Sequence, residues 1–239
     1  MADRSRNSIT RLPDHSITRF PALNAIVDAE ASARAGWDVV RLAAAFLAGG
    51  ATFLQLRAKG LSGDRFLAAA SAIAAQARAR GAALVINDRA DIARLAHADG
   101  VHVGQDDLSP REIRSIVGGD AVVGLSTHTV EQIERAVLEP VTYVAIGPVF
   151  GSATKDTGYA AIGLDLVRDA ARRAHARGLP LVAIGGITLN RVRDVLDAGA
   201  DSVAVIGDLL LGGEPQRRVA EYIGIIAAYH DDSRGRKGT

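Results

Sequence analysis

Asp88 and Asp107 stand 19 residues apart, at the ends of two short apolar runs (83–88 and 100–104). If those runs are neighbouring parallel strands, the carboxylates meet at one rim, where mutual repulsion is costly unless a cation lies between them. Hard oxygen donors with no cysteine beside them suit Mg²⁺, which keeps several waters and shares its site with substrate phosphates. Asn87 and Gln105 flank the pair. Two local alternatives stay open: Asp88 pairing with Arg89, and Asp107 capping the helix that starts near Ser109.

The run QLRAK sets Gln55, Arg57 and Lys59 at alternate positions, and therefore on one face of a strand. On a central parallel strand that face is the barrel interior, where unpartnered cations would cost several kcal/mol. A highly charged anion is the natural partner, and a diphosphate fits better than one carboxylate. A structural ion pair with Asp88 is the competing reading. Gly185 and Gly186, followed by Gly207, resemble a phosphate cup built after strands seven and eight, where backbone N–H groups approach an anion. The polar segment 150–163 reads as a lid, in which Ser152, Thr154 and Lys155 close over a phosphate.

Ser126–Thr127–His128 lacks the glycine-flanked elbow of a hydrolase, so Ser126 is read as a hydrogen-bond donor. His128 either caps the next helix or touches substrate. His102 falls inside a strand and is assigned to packing or a buried hydrogen bond. Trp37 and Phe46 read as packing on a helical face.

These residues need elements to gather them. Apolar runs at 23–28, 52–58, 83–88, 100–104, 122–127, 143–149, 181–186 and 202–207 alternate with Ala-rich helical stretches, among them 64–80, 110–117, 130–138, 164–177 and 189–198. Eight such repeats over 239 residues point to an α/β fold, a single (β/α)₈ TIM barrel. The polar residues gather at the C-terminal ends of the runs, while the opposite ends read RGAA, DAGAD and ARGLP. That asymmetry favours a site on one rim.

Hydrophobic residues make up 48% of the chain and aromatics 4%, which demands an aliphatic core. The net charge of +1 and the lack of a basic, aromatic-interleaved face argue against nucleic acid. No apolar run approaches the ~20 residues of a membrane span. The absence of cysteine and of a secretory signal is compatible with a cytoplasmic location. Residues 1–20 read as a flexible N-terminal extension, 21–229 as the barrel catalytic domain and 230–239 as a disordered tail.

Taken in order, FLQLRAK, VINDRADIA, GVHVGQDDL, VGLSTHT, AIGPVFGSATKDTGY, VAIGGI and DSVAVIG resemble the thiamine phosphate synthase family across roughly residues 22–210. The resemblance implies that Gln55, Arg57, Lys59, Asn87, Ser126 and Lys155 hold a pyrimidine diphosphate. It implies Mg²⁺ on Asp88 and Asp107, and a thiazole phosphate held by Ser152, Ala153, Thr154, Gly186, Ile206 and Gly207. Arg57, Ser126 and Lys155 are then the residues expected to act on the reacting groups. The implied reaction loses diphosphate first and lets the thiazole nitrogen capture a pyrimidine cation, giving thiamine phosphate. It asks for charge stabilisation and water exclusion rather than a protein nucleophile.

Three departures from the family pattern stand out. Asn24 lies in a first strand without the usual tyrosine and threonine, Ser152–Ala153 replaces Thr–Pro in the lid, and Gly207 replaces a serine. Alternative readings are a thiazole tautomerase-like paralogue using His128, and a non-catalytic paralogue that binds thiamine phosphate. The expected partners are small molecules, with no nucleic acid and no membrane, and a homo-oligomer is compatible with the sequence.

Overall fold

The computed structural model describes residues 20–151 and 159–235. Eight strands close into a barrel in chain order: β1 (Leu23–Asp28), β2 (Phe53–Arg57), β3 (Ala83–Asn87), β4 (Gly100–Val103), β5 (Val122–Thr127), β6 (Tyr143–Ile146), β7 (Leu181–Ile184) and β8 (Ser202–Val205). All neighbours are parallel, including the closing pair of β1 with β8. Parallel neighbours require crossovers. Here these are α1 (Ala29–Arg34) with α2 (Val39–Ala48), α3 (Gly63–Ala79), α4 (Ala90–Leu95), α5 (Pro110–Val117), α6 (Val130–Ala136), α7 (Gly163–His175) and α8 (Val192–Asp197), with α9 (Pro215–Gly235) last. The expected (β/α)₈ barrel is present.

The alternation along each strand divides the apolar residues into two layers. Leu54, Leu56, Leu84 and Ile86 face outward, into the same cluster as Ala70, Ile73 and Ile113 of the helices. Ile26, Phe53, Val85, Tyr143, Val182 and Ala204 face inward as a smaller cluster. Each fully buried aliphatic side chain contributes about 1.5–3 kcal/mol, so the more populous outer layer supplies most of the driving force. Phe20 plugs the N-terminal mouth, its ring 5.3 Å from that of Phe53 and 5.0 Å from that of Tyr143.

Phe53 faces inward and Leu54 and Leu56 outward, so parity turns Gln55 and Arg57 into the barrel. Several strands end earlier than the hydrophobic runs suggest. β6 stops at Ile146 because the next residues are Gly147 and Pro148, and proline offers no ladder N–H. β7 stops at Ile184 because Gly185 and Gly186 adopt φ of 102° and 63°, outside the extended region. The residues that end the runs are thus the first residues of the rim loops.

Helix starts follow local chemistry. Ser109 and Glu112 form a capping box with Pro110 in the first turn of α5, Asp38 caps α2, and Thr129 caps α6. Trp37 lies in the link between α1 and α2, not on a helical face, although it still packs on the core; Phe46 of α2 is fully buried. Helix α9 continues past Tyr229, where the sequence reading ends the ordered chain, to Gly235. An Arg193–Asp232 ion pair of 3.1 Å ties that last stretch to α8. Residues 1–19 of the expected extension, Ser152, Ala153, Thr154 and Lys155 of the expected lid, and residues 236–239 lie outside the described residues.

Candidate active site

The rim above β1 to β4 carries the charges. Asp28, the last residue of β1, is 3% exposed and accepts from Arg57 Nη1 through Oδ2 at 2.5 Å, while its Oδ1 caps α1 by accepting from Ala31 N. Arg57 Nε is buried and has no hydrogen-bond partner among the described residues. Gln55, one turn of the pleat below, is 4% exposed. Lys59 lies beyond the strand, exposed, with Nζ 3.1 Å from Asp88 Oδ2. The two cations of QLRAK therefore have different partners: Lys59 takes Asp88, and Arg57 takes Asp28.

Asp88 has φ of 64°, in the left-handed region that aspartate tolerates better than most side chains. The conformation turns the chain sharply just after the buried Asn87. Burial is the main influence on the Asp88 carboxyl and pushes its pKa above the ordinary 3.8; the adjoining Asp107 carboxyl pushes the same way, and Lys59 opposes both. Asp88 and Asp107 thus converge. Neither local alternative holds: Arg89 pairs with Asp91, and the helix cap is Ser109. Asp107 Oδ2 instead accepts from Gly104 N at 2.7 Å. Among the described residues no group of three or more His, Asp or Glu gathers as a ready metal cage. Two hard carboxylates held against each other still suit a small divalent ion whose remaining ligands are oxygens of water or substrate.

Across the rim lies a cavity of about 400 Å³, lined by the ends of β5 to β8 and the loops after them. Gly186, Ile206 and Gly207 line it, as does Ser126. A Cβ on Gly186 would collide with the Gly151 carbonyl and the Phe150 side chain, and its φ of 63° disfavours any other residue. Its bareness is thus a condition of the loop packing. His128 also lines the cavity; its Nδ1 lies 2.5 Å from the Gly147 carbonyl and its ring stacks on Tyr159 at 3.9 Å.

Ser126 joins the two halves. Its carbonyl accepts from Gln105 Nε2 at 2.6 Å, and its Oγ lies 2.8 Å from His102 Nε2. On the other side of that imidazole, Nδ1 lies 2.8 Å from the hydroxyl of Tyr143. Tyr143 is fully buried, and burial raises its pKa, so the phenol keeps its proton. Gly124 makes room for this chain, since a Cβ there would strike both the Tyr143 ring and His102. The buried hydrogen bond expected of His102 is present. Sequence reasoning misses Asp28, Tyr143 and the cavity-lining Arg191, which is described below. Asp28 carries a usable signal, an acidic residue ending a strand run; Tyr143 carries none, because a tyrosine inside an apolar run reads as packing.

Comparison with known proteins identifies the family and the fold. The family described as Thiamine monophosphate synthase matches residues 23–209. The thiamine-phosphate synthase of Koribacter versatilis is 44% identical over 210 residues, covering 87% of this chain and 97% of that protein. That of Acidothermus cellulolyticus is 44% identical over 198 residues, covering 82% and 92%. Among solved structures, a thiamine phosphate pyrophosphorylase from Pyrococcus furiosus superposes with a TM-score of 0.77 at 26% identity, over 87% of this chain and 96% of that one. A second, from Bacteroides thetaiotaomicron, has a TM-score of 0.56 at 16% identity and shares the fold. Adjoining aspartates, Gln55 and Arg57 facing inward with Lys59 on the exposed rim rather than inside as expected, and a glycine-lined cavity sit on a barrel whose sequence belongs to the thiamine-phosphate synthase family.

Proposed function

We propose that the chain couples hydroxymethylpyrimidine diphosphate to hydroxyethylthiazole phosphate, releasing pyrophosphate and forming thiamine phosphate. The observation that carries this reading is the meeting of the Asp88 and Asp107 carboxyls beside Lys59, on the same rim as Arg57 and opposite the cavity. Such a cluster is poorly balanced by itself and well balanced by a polyanion with a divalent cation. Mg²⁺ on Asp88 and Asp107 would neutralise charge on the diphosphate as it leaves.

In this reading Gln55, Arg57, Lys59, Asn87 and Lys155 hold the diphosphate. The bond from the pyrimidine methylene to oxygen breaks, and its electron pair departs with the diphosphate. The thiazole nitrogen then donates its lone pair to the methylene carbon. That nitrogen has no proton to lose, so no general base is needed. Ser126 Oγ and the Tyr143 hydroxyl each lie 2.8 Å from a nitrogen of His102; in the tautomer in which Tyr143 donates to Nδ1, Nε2–H donates to Ser126 Oγ and the serine proton is left for the substrate. Gly186, Ile206 and Gly207 line the cup for the thiazole phosphate, and Ser152, Ala153 and Thr154 are assigned to the same phosphate by the family resemblance alone. The apolar walls contributed by Ile184, Ile187 and Ala204 keep water from the cation.

The test is Mg²⁺-dependent formation of thiamine phosphate and pyrophosphate from the two substrates, with Asp107→Ala alongside. The parent chain turns over, and the variant loses on the order of a hundred- to a thousandfold, the loss usual when one electrostatic element of a reacting site is removed. Unchanged turnover in Asp107→Ala, or an inert parent chain, would overturn the reading. A thiazole tautomerase reading draws support from His128 lining the cavity. It predicts isomerisation of thiazole carboxylate phosphate without any pyrimidine substrate.

A further inference from the structure

We propose that Arg191 is the residue by which this chain selects a phosphorylated thiazole, its guanidinium gripping a phosphate monoester at the cavity mouth. The inference rests on reading the cavity as the thiazole-phosphate site. Among the described residues that line it, Arg191 is the one lysine or arginine. The rest of the lining is glycine, aliphatic side chains, three hydroxyl- or imidazole-bearing residues (Ser126, His128 and Thr188), Pro148 and Asp208. Backbone N–H groups alone can orient a phosphate dianion, but they leave its net charge uncompensated in a partly apolar pocket.

Asp208 also lines the cavity and would oppose such an anion if its charge were uncompensated. It is a buried residue whose Oδ2 accepts from Arg218 Nη2 at 2.8 Å and from the Tyr222 hydroxyl at 2.6 Å, so its charge is already paired. Arg218 and Tyr222 lie on α9, so the final helix neutralises the acid beneath the cup from behind. That leaves Arg191 as the dominant charge on the cavity side.

The guanidinium is already aimed. Nη1 donates to the Gly186 carbonyl at 2.8 Å, and the Cζ sits 4.3 Å from the centroid of the Phe150 ring. One hydrogen bond and one ring face hold the plane, while its remaining N–H groups have no hydrogen-bond partner among the described residues. The rotamer entropy of a long side chain is therefore largely lost before ligand arrives, which favours binding. The anchor is also the carbonyl of Gly186, so the fork and the glycine turn move as one piece.

Two variants separate charge from scaffolding. Arg191→Ala removes both, whereas Arg191→Gln keeps an amide that can donate to the Gly186 carbonyl but loses the charge. Binding of inorganic phosphate and of hydroxyethylthiazole phosphate is measured by calorimetry, and KM by steady-state turnover against each substrate. Both variants are expected to weaken phosphate binding and raise KM for the thiazole phosphate by about ten- to a hundredfold, the range for losing charge-assisted hydrogen bonds. KM for the pyrimidine diphosphate stays within about twofold of the parent, and preference for the phosphorylated thiazole over the free alcohol falls in step. Arg191→Gln binding phosphate as tightly as the parent overturns the inference, as does a parallel rise in both KM values. A parent chain that makes no thiamine phosphate sinks the synthase reading instead, and the phosphate titration then still decides the role of Arg191.

Discussion

Two pairs of aspartates sit at opposite ends of the same barrel and show opposite uses of the same side chain. At the N-terminal end, Asp99 Oδ2 accepts from Leu84 N at 2.8 Å and Asp201 Oδ2 from Leu181 N at 2.8 Å, each closing the start of a neighbouring strand. Asp201 also meets His175 Nε2 at 2.7 Å. At the C-terminal rim, Asp107 adjoins Asp88 and helps to raise its pKa, while Lys59 lies 3.1 Å from Asp88 and Gly104 N donates to Asp107. A carboxylate committed to the backbone amide of a neighbouring strand stabilises the fold; two adjoining carboxylates served by one exposed lysine and one loop amide still favour a further cation. The contrast teaches where to look for chemistry: charges crowded together and only partly balanced by the fold mark the site, and charges absorbed by it do not.

Arg57 gives the most severe test, because it belongs to both categories. It neutralises buried Asp28 and, in the proposed reading, faces the diphosphate. Arg57→Ala should lower stability by about 3–5 kcal/mol, since Asp28 is left charged, buried and unpaired, and should abolish coupling. Adding Asp28→Asn should recover most of the stability in urea melts and none of the turnover. Recovery of both would place Arg57 wholly on the structural side.

A smaller effect is expected at the floor. Asp201→Ala removes the acceptor for Leu181 N and should cost about 1–3 kcal/mol, the penalty for a buried donor left unsatisfied. Turnover per folded molecule should be unchanged. An activity loss without a stability loss would erase the distinction between the two ends.

The smallest effect is a slope. Burial and the neighbouring Asp107 hold Asp88 above 3.8 in the folded chain, whereas unfolding restores the ordinary value. The folded state therefore binds that proton more tightly, and stability at this group is fully present below 3.8 and declines as pH rises through the raised pKa. Asp88→Asn should flatten this part of the pH–stability curve in metal-free buffer, and Mg²⁺ should flatten it in the parent chain. Parallel curves for parent and variant would mean that neither burial nor Asp107 raises the Asp88 pKa in solution.

How much of this was legible beforehand differs by residue. The inward face of QLRAK follows from strand parity alone, and the structure keeps Gln55 and Arg57 inside the barrel. The convergence of Asp88 and Asp107 follows from their places after consecutive runs. Their partners do not follow. Arg57 pairs with Asp28 because β1 and β2 are in a register that sets Asp28 opposite Arg57, and register is a property of pairing rather than of either run. Tyr143 and Arg191 were missed for a similar reason. Each has an unremarkable local context and acquires its role from residues 41 and 5 positions away, His102 and Gly186.

Sequence by itself determined the alternation of strands and helices, the end of each strand at which polar groups emerge, and the family to which those motifs belong. All of these depend on periodicity and on neighbours along the chain, which a linear string records. Tertiary structure alone decided which cation meets which carboxylate, that α9 neutralises Asp208 from behind the cavity, and that Tyr143, His102 and Ser126 line up through the barrel interior. Those outcomes depend on barrel closure and strand register, which bring together side chains that no spacing along the chain relates.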